Sequence, residues 1–235
     1  MNKIQRKFNY FLSKFLKKDT ISIKKIKIYA YEELYDSEIK YAILSKGYER
    51  APHKLLSKTL EKNDKYVELG SGIGFTLIKA SKKIGSENTI GYEANTNLIS
   101  ISKKNFILNN VMPSLINLAV YKNDNKNIRL RISKNILTSS NKRKDISKDF
   151  IMVKTISINQ IIKIHNPTYI FFNIEGSEYD AIMNSDLNSL KKIAILYDFN
   201  VITNNLHKEI EVYLKKFSFK KKFILKERIY FYKKL

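Results

Sequence analysis

Three alternating glycines and a later glutamate have the spacing of a nucleoside-binding site. Residues 66–74 read Tyr-Val-Glu-Leu-Gly-Ser-Gly-Ile-Gly, so an apolar run leads into Gly70, Gly72 and Gly74. Glycine lets the backbone pass close to a ligand that a Cβ would block, and the start of a following helix presents free N–H groups. Glu93 ends the next apolar run, 21 residues after Gly72, where an acid can bind both hydroxyls of a ribose.

The glycine spacing differs from that of a dinucleotide site, which requires Gly-x-Gly-x-x-Gly. Here the glycines alternate, and Glu68 precedes the first of them by two positions. This variant resembles motif I of the S-adenosylmethionine-dependent methyltransferases, whose cofactor has no pyrophosphate. The alternative is a glycine turn that only joins a strand to a helix.

A second group of polar residues ends the apolar run 169–174. Asn173, Glu175 and Glu178 follow one another there, with Gly176 allowing a tight turn. In open α/β sheets the ligand lies beyond the carboxyl ends of the strands, so we expect Asn173 and Glu175 beside the glycine loop. The alternative is that Glu175 and Glu178 only cap the next helix, whose first turn favours acids.

Together these segments resemble the FkbM family of methyltransferases over roughly residues 47–200. Its motif Lys-Ile-Asp-x-Glu-Gly-Ala-Glu is matched by residues 171–178, and its motif I, Asp-x-Gly-Ala-Asn-x-Gly, by residues 68–74. Smaller matches are Gly47-Tyr48-Glu49, Glu93-Ala94-Asn95, Ala119-Val120 and residues 153–162. The chain departs from the family at Phe171 and Asn173, which replace Lys and Asp. Because Asn cannot take up a proton and is the poorer cation ligand, we predict no metal site.

The resemblance implies S-adenosylmethionine as cofactor and a hydroxyl of a carbohydrate or small natural product as methyl acceptor. The residues expected to bind the cofactor are Glu68 (methionine ammonium), Gly70, Ser71, Gly72, Gly74, Glu93 (ribose), Ala119 (adenine) and Asn173. A hydroxyl is a poor nucleophile, so a general base helps. Glu175 is the first candidate, followed by His53 and His207.

Two other functions are compatible with the sequence. An RNA methyltransferase would use the lysine-rich surface, since the net charge is +22 and clustered cations neutralise phosphates. However, only six of the 44 basic residues are Arg, which is the better bidentate phosphate ligand. Abundant Lys, Ile and Asn together are also typical of an A+T-rich genome, so much of the charge can reflect mutational bias. A non-catalytic methyltransferase-like binding protein is the third interpretation, because of Asn173.

The order of predicted elements gives the fold class. Strands at 65–69, 88–92, 115–119, 169–174 and 193–198 alternate with helices at 75–84, 96–109 and 206–216, and another helix follows Glu178. This alternation predicts an α/β, Rossmann-like class I methyltransferase fold, with a mostly parallel seven-stranded sheet covered by helices on both faces. Two last strands, near 217–224 and 228–233, would form its antiparallel edge. Residues 127–158 predict a β-hairpin insertion between strands three and four, with a partly disordered polar loop at 134–149.

The N-terminal region differs in character from the rest of the chain. Residues 1–18 predict a basic amphipathic helix, which either lies on an anionic membrane surface or packs on the domain. A strand is predicted at 21–29, a helix at 36–46, and a helix at 53–61 opened by Pro52. We therefore divide the chain into a basic segment at 1–28 and a methyltransferase domain at 29–235.

Composition limits the partners and the compartment. The 235 residues suit one domain, and the absence of Cys excludes disulfides and thiolate metal sites. We expect a cytoplasmic protein, because lysines interrupt every N-terminal apolar stretch. The expected partners are a small-molecule or glycan substrate and a weak contact of residues 1–18 with a membrane or polyanion.

Overall fold

The computed structural model describes residues 2–131 and 150–234, which form alternating strands and helices. The helices are α1 (Lys3–Phe15), α2 (Ser37–Leu44), α3 (Arg50–Thr59), α4 (Phe75–Ile84), α5 (Thr96–Leu108), α6 (Ile158–His165), α7 (Glu178–Ile182) and α8 (Asn204–Lys216). The strands are β1 (Thr20–Ile23), β2 (Ile26–Tyr29), β3 (Tyr66–Leu69), β4 (Thr89–Tyr92), β5 (Ser114–Ile116), β6 (Ala119–Val120), β7 (Asn127–Arg131), β8 (Phe150–Ile156), β9 (Tyr169–Phe172), β10 (Lys192–Leu196), β11 (Phe219–Leu225) and β12 (Ile229–Lys234).

Seven strands form the central sheet, in the order β11-β12-β10-β9-β3-β4-β5. The five strands from β10 to β5 are parallel, whereas β12 runs antiparallel to both β10 and β11. Every residue of β3, β4 and β9 is buried, as expected for parallel strands covered on both faces. The predicted Rossmann-like class I fold and its antiparallel edge pair are confirmed.

Two apolar cores occupy the two faces of this sheet. Successive side chains of a strand point to opposite faces, and on β9 Tyr169 joins one core while Ile170 joins the other. The first core takes in buried residues of α2, α3, α4 and α5, and the second those of α6, α7 and α8. Helices packed on both faces of the sheet therefore hold its carboxyl edge in place.

The N-terminal region folds differently from its prediction in two respects. The single strand expected at 21–29 is a hairpin of β1 and β2. Lys24 and Lys25 form its turn with φ of 53° and 67°, the left-handed pair that a tight hairpin requires. The turn is not evident in the sequence Ile-Ser-Ile-Lys-Lys-Ile-Lys-Ile. Buried isoleucines alternate with other residues on both sides of it, as they would along one continuous strand. The helix expected at 53–61 begins earlier, at Arg50, with Pro52 in its first turn.

The predicted hairpin insertion is present between β5 and β9. β7 pairs antiparallel with β8, and β8 pairs parallel with β6. The loop expected at 134–149 lies outside the described residues. Helix α6 was not predicted. It follows β8 directly because the Ser157 side chain accepts a hydrogen bond from the Gln160 N–H (3.2 Å), which ends the strand and begins the helix.

A buried ion pair lies at the amino end of β10. Lys192 and Asp64 are 2% and 5% exposed, and Lys192 Nζ lies 2.7 Å from Asp64 Oδ2. Lys192 also donates to the Thr59 carbonyl at 3.1 Å. These contacts of Lys192 thus tie the end of α3 to the amino end of β10.

Of the helices in the described ranges, none combines the length and apolar character needed to cross a lipid bilayer.

Candidate active site

A cavity of about 500 Å³ lies at the carboxyl ends of β3, β4 and β9. Its size is within the range of small-molecule sites, and its position is the ligand position of open α/β sheets. The residues predicted to bind a cofactor that line it are Glu68, Gly70, Ser71, Gly72, Glu93, Ala119 and Asn173. Gly74, also predicted as a cofactor ligand, is not part of this lining.

The glycine loop is fixed by close backbone packing. A Cβ on Gly70 would lie 2.0 Å from the Asn173 carbonyl oxygen, and Gly70 has φ of 80°. Only glycine combines this conformation with that approach. The loop is therefore pressed against the end of β9. Gly74 serves packing in the same way, because its Cβ would lie 2.4 Å from Phe106 of α5.

Glu93 holds the loop from the end of β4. Its Oε2 accepts a hydrogen bond from the Gly72 N–H and its Oε1 accepts one from the Asn95 N–H, each at 2.8 Å. Burial raises the pKa of Glu93 to about 7, with these two backbone donors acting in the opposite direction. Glu93 is therefore oriented before any ligand arrives, and each oxygen keeps a lone pair for a second donor.

Glu68 lies on β3 at the base of the cavity. It is 1% exposed, and its Oε1 accepts a hydrogen bond from the Thr76 hydroxyl in the first turn of α4. Burial raises the pKa of Glu68 well above its usual range, while the Thr76 hydrogen bond lowers it in part. A cation placed beside this carboxyl would favour its ionised form.

Glu175 projects from the turn that ends β9. It has φ of 52° and is followed by Gly176 at 96°. A Cβ on Gly176 would lie 2.5 Å from Val201, so the turn is packed against the loop after β10. This packing holds Glu175 in the left-handed region, which a non-glycine residue adopts only under constraint. Its side chain lines the cavity.

Glu49 and Arg228 also line the cavity but were not among the predicted site residues. Glu49 has φ of 46° and precedes α3. Burial and then the charge of Glu175 raise its pKa, Arg228 lowers it in part, and the net result is a pKa of about 7. In the sequence, the only signal for Glu49 is its place in Gly47-Tyr48-Glu49. Arg228 has none, because it comes from the turn between β11 and β12.

The two histidines proposed as bases lie on α3 and α8, where each packs against aromatic rings. His53 sits on α3 with its ring centroid 6.2 Å from that of Phe75, and its pKa is lowered to about 4, first by burial and then by neighbouring lysines. His207 packs on Tyr197 and Tyr230, each with a centroid distance of 4.7 Å. Neither is among the residues that line the cavity, so their proposed role stays a prediction.

The ionisable residues that line the cavity are mainly acidic, whereas those of the whole protein are mainly basic. Its described lining includes one arginine, Arg228, and five glutamates: Glu38, Glu49, Glu68, Glu93 and Glu175. The chain as a whole carries a net charge of +22. A cleft of one charge sign concentrates ligands of the opposite sign, so this site favours a ligand with cationic groups.

The polar atoms of the cavity fit S-adenosylmethionine, which carries an ammonium, a sulfonium and a ribose. Ser71 Oγ and Glu49 Oε2 are buried, and within the described part of the chain neither has a hydrogen-bond partner. Such atoms require a partner, and a polar ligand would supply it. Gly72, at φ of 56°, offers backbone rather than a side chain to that ligand.

A family model matches more than half of this chain. Residues 38–165 match the model described as histone methylation protein DOT1. These residues span α2 to α6 and include the glycine loop, Glu49, Glu68 and Glu93. Among curated proteins, none matches the sequence.

Several solved structures are similar to this one at low sequence identity. A methyltransferase from Pyrococcus furiosus aligns with a TM-score of 0.51 at 11% identity, covering 99% of this chain and 98% of that one. This likeness shows the fold. The ribosomal protein L11 methylase from Lactobacillus delbrueckii subsp. bulgaricus aligns with a TM-score of 0.49 at 14% identity, covering 93% and 99%. Precorrin-6y C5,15-methyltransferase from Geobacter metallireducens GS-15 aligns with a TM-score of 0.47 at 12% identity, covering 77% and 84%.

Proposed function

The chain belongs to the DOT1 histone methylation protein family and is an S-adenosylmethionine-dependent methyltransferase, and we propose that it methylates a hydroxyl group of a carbohydrate or small natural product. The observation that carries this proposal is the pair of carboxylates, Glu49 and Glu175, in the cavity that also contains the cofactor-binding residues. The resemblance to the FkbM family supports the hydroxyl, and we propose that family as the closer relationship.

The cofactor-binding half of the cavity would hold S-adenosylmethionine through residues already in position. Glu93 would accept hydrogen bonds from the ribose hydroxyls, and Glu68 would lie toward the methionine ammonium. Ala119 is 5% exposed on β6 and would lie against the adenine. When bound, this cofactor supplies an electrophilic methyl group on a sulfonium sulfur.

The carboxylate pair would serve the acceptor. Glu175 would accept the proton of the acceptor hydroxyl while its oxygen takes the methyl group and the carbon–sulfur bonding pair returns to the sulfur. Glu49 would keep the basicity of the pair high through its like charge. Burial and the charge of Glu175 raise the pKa of Glu49 to about 7, so Glu49 itself is half-ionised near neutral pH.

A second candidate acceptor is an amine of a basic protein. The family description names histone methylation, and a cavity lined by five glutamates would attract an ammonium group. One of these carboxylates would then take the ammonium proton before the nitrogen acquires the methyl group. We rank it second because Glu175 lies within the segment that resembles the FkbM family.

The test compares methylated pools from cells with and without the gene. Mass spectrometry of surface glycans, small metabolites, RNA and proteins is carried out on both strains, with a third strain that carries Glu175→Gln. A methyl ether missing from the glycan or metabolite pool of both altered strains supports the hydroxyl proposal. A methyl group missing only from proteins would support an amine of a basic protein as the acceptor. One missing only from RNA would support an RNA methyltransferase that uses the lysine-rich surface.

A further inference from the structure

Helix α1 presents an apolar stripe to solvent. The stripe consists of Ile4, Phe8, Phe11 and Phe15, which recur at intervals of three and four residues and therefore share one helix face. Their exposures are 79%, 63%, 66% and 84%. Four large apolar side chains in one exposed row are unusual. Contiguous apolar surface of this kind marks an interaction site.

The opposite face of α1 packs on the domain with polar and aromatic residues. Ser13 is 5% exposed, and the Tyr10 ring lies 5.0 Å from that of Tyr41 on α2. Arg6 donates to the Ser45 hydroxyl at 3.4 Å. A helix that packs only on its own domain buries its apolar face. Here the more polar face is buried instead, so the orientation of α1 leaves the apolar stripe for a partner.

The charges around the stripe select that partner. The cationic residues of the segment are Lys3, Arg6, Lys7, Lys14, Lys17 and Lys18, and residues 2–18 include no Asp or Glu. Lys7 and Lys14 lie four residues before and three residues after Phe11, so they flank the stripe. Aromatic residues on one face and lysines beside them are typical of helices that lie in the membrane interface.

Two other occupants fit the same surface less well. A second copy of this chain would bring two sets of these cations together, with no acid in either helix to offset their repulsion. A nucleic acid would satisfy the lysines, but contacts with its backbone are made by cationic and polar groups and would leave the apolar stripe in water.

We propose that α1 docks this protein on the surface of an anionic lipid bilayer. The apolar stripe enters the boundary between headgroups and acyl chains, while Lys7 and Lys14 contact the anionic headgroups. This interaction goes beyond the methyltransferase function and does not depend on which acceptor the enzyme uses. It would hold the catalytic cavity close to a membrane.

Vesicle flotation of the full chain tests this proposal. One set of vesicles is phosphatidylcholine alone, and the other is an equal mixture of phosphatidylcholine and phosphatidylglycerol. The stripe variant combines Phe8→Ser and Phe15→Ser. Its matched control combines Ile107→Ser on α5 and Val212→Ser on α8, whose side chains are 66% and 57% exposed. Because all four positions are exposed, the variants should fold, and thermal melting verifies it.

We expect the wild type and the control to bind the mixed vesicles and to bind phosphatidylcholine at least tenfold more weakly. The stripe variant should lose at least tenfold in affinity for the mixed vesicles. The double variant Lys7→Gln with Lys14→Gln should also bind the mixed vesicles more weakly. Its control, Lys103→Gln with Lys222→Gln, should bind them as the wild type does. The proposal is overturned if the wild type binds neither vesicle, if it binds both equally, or if the stripe variant binds as the control does. A wild-type dimer that the stripe variant dissociates, without vesicle binding, would assign the stripe to a second copy.

Discussion

Glu49 and Glu175 line one cavity from different elements, and each is held in the left-handed region of backbone space, at φ of 46° and 52°. Each such conformation costs on the order of 1 kcal/mol for a residue other than glycine. The charge of Glu175 also raises the pKa of Glu49. Two constrained carboxylates that interact in a ligand-sized cavity are difficult to explain by stability, and they point to function.

We predict that Glu49→Gln shifts the pH dependence of methyl transfer. Glu49, whose pKa is raised to about 7, no longer titrates in this variant, so the rising limb of the rate profile should move down by on the order of one pH unit. The maximal rate should fall because Glu175 loses the like charge that favours proton uptake. Glu33→Gln, at an exposed glutamate before α2, is the matched control and should leave the profile unchanged. A profile in Glu49→Gln that superimposes on the wild type would show that the two carboxylates are not coupled in catalysis.

The role of Glu93 in cofactor binding is tested by calorimetry with S-adenosylhomocysteine. Glu93→Ala should weaken binding by about 1–3 kcal/mol, the scale of a lost hydrogen bond to a charged group. Glu93→Gln keeps an oxygen that can accept a hydrogen bond from the Gly72 N–H, so it separates support of the glycine loop from binding of the ribose. We expect it to weaken binding less than Glu93→Ala does. Equal affinity in all three proteins would mean that another acid binds the ribose.

Cofactor affinity should depend on pH in a defined direction. The pKa values of Glu49 and Glu93 are raised to about 7 in the ligand-free protein, so both carboxyls are mainly protonated below pH 7. A cationic, hydroxyl-bearing ligand favours their ionised forms, and binding at low pH must therefore release protons.

As the pH falls below about 7, the Kd for S-adenosylmethionine should rise by up to tenfold per pH unit for each proton released, and it should be constant above about pH 8. Titrations in buffers of different ionisation enthalpy count these protons. A Kd that is constant down to about pH 5.5, or that decreases on acidification, would contradict the raised pKa values.

The buried pair of Lys192 and Asp64 should matter for stability rather than for activity. Asp64→Ala leaves the Lys192 ammonium, which is 2% exposed, without its closest carboxylate, at a cost of about 3–5 kcal/mol in the free energy of unfolding. Adding Lys192→Met should recover most of this loss, because no charge then remains buried. Glu61→Ala removes an exposed partner of Lys192 and should cost less than about 1 kcal/mol. Urea denaturation measures the free energy of unfolding of all three variants. If Asp64→Ala is as stable as Glu61→Ala, the buried pair does not contribute to stability as we expect.

The sequence was sufficient to predict the sheet and the glycine loop because these depend on local signals. The alternation of apolar runs with helical segments predicts the parallel strands, and Gly70, Gly72 and Glu93 have a spacing that is read without knowing the fold. The hairpin of β1 and β2 was not predicted because Lys24 and Lys25 are unusual turn residues.

The acceptor side of the cavity was only partly predicted because long-range packing assembles it. Glu49 precedes α3, and Arg228 comes from the turn before β12, about 180 residues later in the chain; no local pattern connects them. His53 was proposed for its residue type and its closeness in sequence to Glu49, and His207 because it follows the fifth predicted strand by a short loop. Whether either side chain lines the cavity depends on how α3 and α8 pack. Neither position can be derived from the sequence around it.

Labelled methyl transfer tests the central claim most directly. The purified protein is incubated with S-adenosylmethionine that carries an isotopic methyl group and with an extract of cells that lack the gene. We predict that the wild type labels a carbohydrate or small-metabolite fraction. Glu175→Gln should bind S-adenosylhomocysteine within about threefold of the wild type but transfer at least about 100-fold more slowly. Label placed equally well by Glu175→Gln, or label found only in RNA or protein, would contradict the account of this site.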